Sequence, residues 1–357
     1  GLMPVKTLMQ KMKYQHPNIL DGLWTRPSLF WLYDSDTFAL LLASLGCLLS
    51  ILCLLGRGST LIFFILWTLQ ISFLHIGQTF WRFGWETNLL ELTFLAMFMC
   101  PLYKTTIHPT WHQPSKTLML LYRWALFRLM FGAGMIKLRG DNCWADLTCM
   151  SFHYETQPIP NPLSYLFHYL PDLFQKSSVV INHIVELIVP FLLFSARKYR
   201  IIAGVIFCLF QFSIMLSGNY AWINHLTLLM IIPCFDDRFF KKTVPFLKKF
   251  KKIKPTHTNK QSLMQKSVIF VLFCFIVYLS YHPVKNLIST KQAMNRSYDQ
   301  FHIVNSYGVF GSITKKRYEI IIEGTNSEKL KINTVWKEYE LPCKPGNVYK
   351  RPCVIAP

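Results

Sequence analysis

At least seven apolar stretches of this chain are long enough to enter or cross a lipid bilayer. The clearest cover residues 38–55, 61–80, 118–136, 179–194, 201–216 and 268–279. The hydrocarbon core offers the backbone no hydrogen-bonding partner, so each stretch must satisfy its own polar groups, as an α-helix does. The sequence therefore predicts an α-helical multi-pass membrane protein with about seven to eight membrane segments, which removes most classes of soluble enzyme.

The positive charge of the chain is concentrated in short loops between these stretches. The formal net charge is +20, and the largest group of lysines lies within residues 241–254. Shorter basic loops contain Arg57 and residues 197–200. Cationic loops between spans are typical of the cytosolic side of a membrane protein, and this placement argues against nucleic-acid binding. The lysine run is interpreted as a solvated topology determinant, or as a contact with anionic membrane lipid.

Charge and the parity of the spans predict one domain organisation. Residues 1–36 form a luminal N-terminal segment, and residues 37–282 form a polytopic helical membrane domain. This domain includes a luminal loop at 137–177 and a cytosolic basic loop at 236–266. Residues 283–357 are expected to begin a β-rich luminal domain. We interpret the chain, which starts without Met and stops abruptly, as a fragment lacking an upstream span and part of this domain.

The β-rich expectation comes from residue types in the tail. Residues 317–322, 330–335 and 336–341 are rich in β-branched and aromatic side chains, partly in alternation. The turn-forming strings Gly-Thr-Asn at 324–326 and Pro-Gly-Asn at 345–347 punctuate them. This pattern is typical of short strands joined by tight turns.

Four cysteines fall on the predicted non-cytosolic side, where an oxidising environment favours disulfides. They are Cys143, Cys149, Cys343 and Cys353, and three connectivities are open to them. The Cys343–Cys353 pair is favoured first because a Pro-Gly-Asn turn lies between its members, and Cys143–Cys149 is favoured next. Four unpaired thiols remain the alternative.

One acceptable N-glycosylation signal, Asn295-Arg296-Ser297, lies on the same predicted side of the membrane. Asn295 is therefore the candidate glycosylation site, although it follows a span closely, where such signals are used poorly. Together with the cysteines it indicates the lumen of the endoplasmic reticulum. The sequence alone equally allows the cell surface.

Several polar residues fall at membrane depth, where charge is costly and needs a partner or a purpose. The main candidates are Glu91, Arg128, Glu186 and Asn219. Arg128 can pair with either Glu91 or Glu186. One interpretation is an ion pair between helices that fixes their packing, and the other is a functional polar site between the helices.

Motifs of the common enzyme classes are absent from the sequence. There is no H-E-x-x-H, C-x-x-C, G-x-S-x-G, P-loop or G-x-G-x-x-G string. His108 and His112 have the spacing of two metal ligands on a helix, but Pro109 between them disfavours a continuous helical face. We therefore predict no metal site and no cofactor. A transporter is disfavoured because no paired repeat of broken helices is found.

Four longer strings carry a family resemblance. They cover residues 72–90, 127–160, 217–224 and 301–353, and include HYETQPIP and VNSYGVFGSITK. Over nearly its whole length the chain resembles the lipase maturation factors. The resemblance implies a non-enzymatic endoplasmic reticulum membrane protein that assists folding and dimer assembly of secreted homodimeric lipases, namely lipoprotein, hepatic and endothelial lipase. The luminal C-terminal domain would engage these clients.

A fainter resemblance suggests an alternative function. Residues 133–138, followed by Asp141 and Trp144, are similar to a segment of vitamin K-dependent gamma-carboxylase. In that enzyme the lysine aligned with Lys137 is the catalytic base, and burial can lower the pKa of a lysine enough for such a role. The resemblance implies a carboxylase-like membrane enzyme. The competing interpretation makes Lys137 a relic or an interfacial anchor.

Overall fold

The computed structural model of the protein describes residues 2–102, 114–243, 262–341 and 350. Over these residues the chain is helical, with one small sheet. The helices are α1 (Val5–Gln15), α2 (Ile19–Thr25), α3 (Asp36–Leu54), α4 (Thr60–Ile76), α5 (Gly84–Met97), α6 (Lys116–Arg139), α7 (Cys149–Thr156), α8 (Ser164–His168), α9 (Asp172–His183), α10 (Arg197–Ser217), α11 (Ile223–Ile231), α12 (Asp237–Thr243), α13 (Leu263–Leu279) and α14 (Tyr281–Ile288). The strands are β1 (Glu323–Gly324) and β2 (Lys337–Glu338).

Five helical stretches of the described residues are long and apolar enough to cross a membrane. They are α3, α6, Asp172–Phe194, α10 and Leu263–Ile288. The helices α4 and α5 have 17 and 14 residues, which at 1.5 Å per residue gives about 26 and 21 Å, less than the hydrocarbon thickness. The expectation of seven to eight spans is therefore not confirmed, because α4 ends before Gly77 and α5 ends at Met97.

The α6 helix lies at the centre of the helical bundle. It packs against α5, α11, α13 and the segment that follows α9, and most of its residues from Leu121 to Lys137 are buried. The α3 helix is the opposite case, because Leu42 is its one buried residue although the helix is apolar all round. A helix of that kind is stable when lipid covers it.

The helix that begins with α9 changes its winding near its middle. Residues Ile184–Ile188 form a π-turn, and Val189–Phe194 continue as a 3-10 segment that contains Pro190. Proline lacks the backbone N–H that would donate to the preceding turn, so the local hydrogen-bond pattern must change there. A π-turn adds a residue to the turn and re-aims the side chains around it, here including Glu186.

The tail of the chain does not form the expected β-rich structure in its described part. The strands β1 and β2 have two residues each and pair antiparallel, with Glu323 opposite Glu338. Most side chains between residues 318 and 341 are exposed. Strands of this length cannot bury a hydrophobic face of their own, and the remaining alternation in the sequence is not used for sheet pairing.

The two ends of the bundle differ in what they carry. At one end, here called the basic end, α6, α10 and α13 begin with the exposed residues Lys116, Arg197 and Leu263. The other end, here called the tail end, holds α7, α8, α14 and residues 301–313. Residues 301–313 are here called the docked segment, since every residue from 302 to 308 is buried.

Candidate functional site

Two cations of α6 organise the buried polar groups of the bundle. Arg128 and Lys137 are 3% and 5% exposed. They are nine residues apart, which in a helix of 3.6 residues per turn places them on opposite faces. Each finds a carboxylate on a different neighbouring element, so α6 is joined by charge on both sides.

Arg128 pairs with Glu91 of α5, one of the two partners that the sequence left open. The guanidinium also donates to the carbonyl oxygen of Asn305. Both members of the pair are almost fully buried, and a charge removed from water in this way depends on the partners that it finds inside the protein; both terminal nitrogens of Arg128 have one, whereas its Nε has none among the described residues. The pair therefore requires the docked segment as well as the two helices.

The docked segment completes the hydrogen bonding of Glu91. The Tyr307 hydroxyl donates to Glu91 Oε2 at 2.8 Å, and the Asn305 amide nitrogen approaches the same oxygen at 3.3 Å. The Tyr307 ring also lies 6.0 Å from the Arg128 guanidinium. These residues are more than 170 positions apart in sequence from their partners on α5 and α6. The network thus fixes the start of the tail to the middle of the chain.

Glycines let the docked segment approach α6 closely. A Cβ atom on Gly132 would lie 2.5 Å from the carbonyl oxygen of Tyr307, and one on Gly140 would overlap the carbonyl oxygen of Gly311. The Asp141 amide donates to that same Gly311 oxygen at 2.9 Å. Small residues are what close approach of backbones requires. The Gly-rich end of α6 is therefore a docking surface for the tail.

Lys137 forms the second buried ion pair, with Glu186 in the π-turn. Its Nζ lies 2.7 and 2.8 Å from the two carboxylate oxygens and 3.0 Å from Asn182 Oδ1. These acceptors match the three N–H donors of an ammonium group. The Nζ also lies 5.0 Å from the centre of the Trp144 ring, within reach of a cation–π contact. This arrangement provides Lys137 with an acceptor for each of its N–H groups and joins α6 to the helix of α9.

A ring of aromatic and polar side chains lies next to Lys137 at the tail end. Phe310 packs edge-on against His153 and Tyr220, and the Trp144 indole donates to the Phe310 carbonyl oxygen at 2.9 Å. His153 Nε2 is 2.6 Å from the Tyr220 hydroxyl. Burial, with a smaller contribution from Lys137, lowers the pKa of His153 to about 4. His153 is therefore neutral at neutral pH.

The remaining residues predicted from the sequence lie apart from these two networks or outside the described residues. Asn219 lies in the turn between α10 and α11. A disulfide joins Cys143 and Cys149. The other candidates, and the histidine pair, lie outside the described residues: Cys343, Cys353, His108 and His112.

The Asn295 side chain is already engaged by the protein. Its Nδ2 donates to the Gly308 carbonyl oxygen at 3.1 Å, and its Oδ1 accepts from the Gly308 amide at 3.0 Å. Asn295 also has a positive φ of 55°, a conformation that asparagine tolerates better than most residues. A glycan on Nδ2 would compete with the first of these hydrogen bonds. Asn295 thus has a structural role in positioning the docked segment.

Sequence reasoning missed several members of the site. Asn182, Asn305 and Tyr307 were not singled out, although each contacts a buried charge. Asn182 had a usable signal, because it lies four residues before Glu186 on one helix face. Asn305 and Tyr307 had no such signal, since a hydrogen bond across 200 residues leaves no local pattern.

Comparison with known proteins shows the family of the chain. The family model described as "Lipase maturation factor transmembrane domain" matches residues 1–242, and "Lipase maturation factor C-terminal domain" matches residues 303–357. The chain belongs to the lipase maturation factor family. The second match begins inside the docked segment, so part of what the family model assigns to a separate domain is packed into the bundle.

Curated relatives in this family are similar over the whole chain. "Lipase maturation factor 1" of Mus musculus is 40% identical and that of Homo sapiens 38% identical, each over 100% of this chain. The chain spans 66% of the length of both of these relatives. "Lipase maturation factor 2" of Xenopus tropicalis is 34% identical over 68% of this chain and 36% of its own length. No solved structure matches the chain.

These matches support one of the two resemblances predicted from the sequence and not the other. The resemblance to lipase maturation factors is confirmed, together with the membrane character of the chain. The fainter resemblance to vitamin K-dependent gamma-carboxylase is not shown by them. Within the described residues, no group of three or more His, Cys, Asp or Glu side chains is placed to bind a metal ion.

Proposed function

We propose that this protein is an endoplasmic reticulum maturation factor that assists folding and dimer assembly of secreted homodimeric lipases. The proposed clients are lipoprotein, hepatic and endothelial lipase, and the proposed location of the tail is the lumen. Membership of the lipase maturation factor family supports a role with lipases in general. The chain spans about two thirds of its curated relatives, so the activity of the whole protein is part of the proposal.

The docked segment is the structural feature from which we infer a mechanism. It is held by the buried pair of Glu91 and Arg128, so the tail that follows leaves the bundle from a fixed position. Beyond it, Ile320, Ile332 and Trp336 are exposed. These side chains are not covered by the described residues, and exposed apolar surface of this kind can be buried against a partner protein. We infer that the bundle is an anchor and that the tail contacts the client.

Rescue of cells that lack the protein tests this division of roles. Wild-type protein should restore secreted lipase activity per lipase molecule and the dimer peak in velocity sedimentation. Ile320→Asp combined with Ile332→Asp should reduce both, because charge replaces apolar contact surface. Lys329→Glu is the matched control, since it changes an exposed residue of the same tail. Full rescue by the Asp variant would overturn the proposed contact surface, and normal lipase secretion without the protein would overturn the function.

The alternative, a carboxylase-like enzyme with Lys137 as base, is tested separately. We interpret Lys137 as a structural cation because Glu186 and Asn182 accept all three of its N–H groups. A neutral double variant, Lys137→Met with Glu186→Gln, removes the base while leaving no unpaired charge behind. Rescue of lipase activity by this variant is expected. A stable, correctly located variant that restores no activity would support the enzyme instead.

A further inference from the structure

The N-terminal segment packs against the sides of α3 and α4 and not above their ends. The Ser28 hydroxyl donates to the Ser72 carbonyl oxygen of α4 at 3.2 Å. The Phe30 ring contacts Phe38 of α3 and Phe73 of α4, with 5.8 and 5.5 Å between the ring centres. Since α3 is long and apolar enough to cross a membrane, these contacts place the segment alongside a membrane span.

A contact between α3 and α4 sets the depth of this packing. A Cβ atom on Gly46 would lie 3.6 Å from the Leu69 side chain, so these two residues lie at about the same level. Gly46 is ten residues beyond Asp36, where α3 begins. Ser72 is three residues nearer the same surface than Leu69, because α4 runs antiparallel to α3. At 1.5 Å per residue, Ser72 and its partner Ser28 therefore lie about 10 Å inside the start of α3.

The exposed face of α2 is apolar. Leu20 and Trp24 are 70% and 63% exposed, and they lie one turn apart, on the same face of the helix. Leu32, which shortly precedes α3, is also exposed. Asp21 lies on a neighbouring face, where its carboxylate is 2.6 Å from His16 Nδ1. An apolar face beside a polar one is typical of a helix that lies in the plane of the membrane interface.

Two ring contacts show how deep the Trp24 side chain lies. Its ring packs edge-on against Phe301, which stacks on Trp67 of α4, with 5.5 and 6.3 Å between the ring centres. By the same count along α4, Trp67 lies about 18 Å inside the start of α3. Even if both contacts ran straight towards the surface, they would span about 12 Å. The Trp24 ring therefore lies at least about 6 Å inside the start of the span.

We propose that α2 is an interfacial helix whose Leu20 and Trp24 side chains contact the acyl chains of membrane lipid, with Leu32 at the same surface. At this depth α3 exposes Leu40 and Leu41, and a helix that is apolar all round is stable when lipid covers it. A water-soluble partner does not reach side chains at this depth, so the occupant is lipid. The N-terminal segment is then anchored in one leaflet, and through Trp24 it braces the first residue of the docked segment.

Tryptophan fluorescence of the purified full chain in lipid nanodiscs tests the proposal. The probes are phosphatidylcholine brominated on its acyl chains, which quenches from the hydrocarbon, and iodide, which quenches from water. Trp24→Phe keeps an aromatic ring against Phe301 but removes the indole. The fluorescence lost to brominated lipid should therefore be smaller in this variant than in the wild type, and the loss to iodide should not change. Trp336→Phe is the matched control, because Trp336 is also exposed but lies in the tail, and this variant should reduce the loss to iodide alone.

A second variant restores the signal at another position. Adding Leu20→Trp to Trp24→Phe should return the quenching by brominated lipid, because both positions lie on the same face of α2. A smaller loss to iodide in Trp24→Phe would show that this face is in water, and unchanged quenching by both probes would show that protein covers it. Either result overturns the proposal, as does a Leu20→Trp indole that is quenched by iodide and not by lipid.

Discussion

The buried charges show how single residues hold this bundle together. Removing one member of a buried pair leaves the other without a partner, which costs about 3–5 kcal/mol, whereas replacing both costs far less. Glu91 accepts hydrogen bonds from Tyr307 and Asn305 in addition to the one from Arg128. The acid is therefore the shared acceptor of the network, and the guanidinium is its counter-charge.

This asymmetry predicts the result of a double-mutant comparison. Arg128→Met should lower the free energy of unfolding by about 3 kcal/mol, because it leaves a buried carboxylate without its cation. Adding Glu91→Gln should recover much of the loss, since glutamine keeps an acceptor for Tyr307 without a charge. Thermal unfolding of the detergent-solubilised protein measures both variants. A double variant less stable than Arg128→Met would contradict the ion-pair assignment.

His153 predicts how stability depends on pH. Its pKa is about 4 in the folded protein and 6.5 when unperturbed, so the unfolded chain binds a proton first as the pH falls. The contribution of His153 to the free energy of unfolding is fully present above pH 6.5 and is lost progressively between pH 6.5 and about pH 4. The loss amounts to about 2 kcal/mol at pH 5. Burial also lowers the pKa of His302, which adds to the same trend.

The contribution of His153 is isolated by substitution. His153→Gln keeps a polar partner for the Tyr220 hydroxyl but cannot take up the proton. The loss of stability between pH 7.5 and pH 5 should therefore be about 2 kcal/mol smaller in this variant than in the wild type. Unfolding midpoints at the two pH values provide the measurement. An unchanged pH dependence would show that His153 already ionises freely in the folded protein.

At the scale of elements, the sequence predicts the long apolar helices well and the tail poorly. α3 and α10 follow from apolar runs of about 20 residues, since length and hydropathy alone decide them. The string HIVNSYG at 302–308 has the polar residues of a surface loop, yet it is buried. Its burial depends on Glu91, Arg128 and the glycines of α6, and no local pattern reports partners so distant in sequence.

The candidate site, like the fold, is only partly predictable from the sequence. The need for charge pairing identified Glu91, Arg128 and Glu186, because isolated charge at membrane depth is costly. It did not identify Lys137 as the partner of Glu186. Lys137 looked like the end of a span, and the π-turn that aims Glu186 at it is set by Pro190 and tertiary packing. The cost of burying a charge therefore predicts that an ion pair exists, whereas the fold decides which residues form it.

Docking of the tail on α6 depends on the absence of a side chain at Gly132. Gly132→Ala places a methyl group 2.5 Å from a backbone oxygen, so the docked segment must shift, at a cost of about 1–3 kcal/mol. Limited proteolysis should then cleave near residues 301–313 faster than in the wild type. Gly46→Ala is the control, because its Cβ would meet Leu69 at an ordinary 3.6 Å. Equal protection in both variants would contradict close docking.

The whole molecule has two chemically different ends, and this difference predicts its orientation. Cations collect where α6, α10 and α13 begin, whereas the disulfide and the docked segment lie at the other end. The positive-inside rule assigns the basic end to the cytosol, and an oxidising lumen suits the Cys143–Cys149 pair.

We expect an epitope inserted within 241–254 to be accessible to antibody on intact microsomes, and one inserted after Ser327 to become accessible only after detergent is added. Insertion after Asn18 controls for the N-terminal segment and should behave like Ser327, since the α3 span separates that segment from the α3–α4 turn. If both epitopes are accessible on intact microsomes, the tail faces the cytosol and a luminal site of client contact is excluded; if both need detergent, the two ends do not face opposite compartments and the assignment of the basic end is wrong.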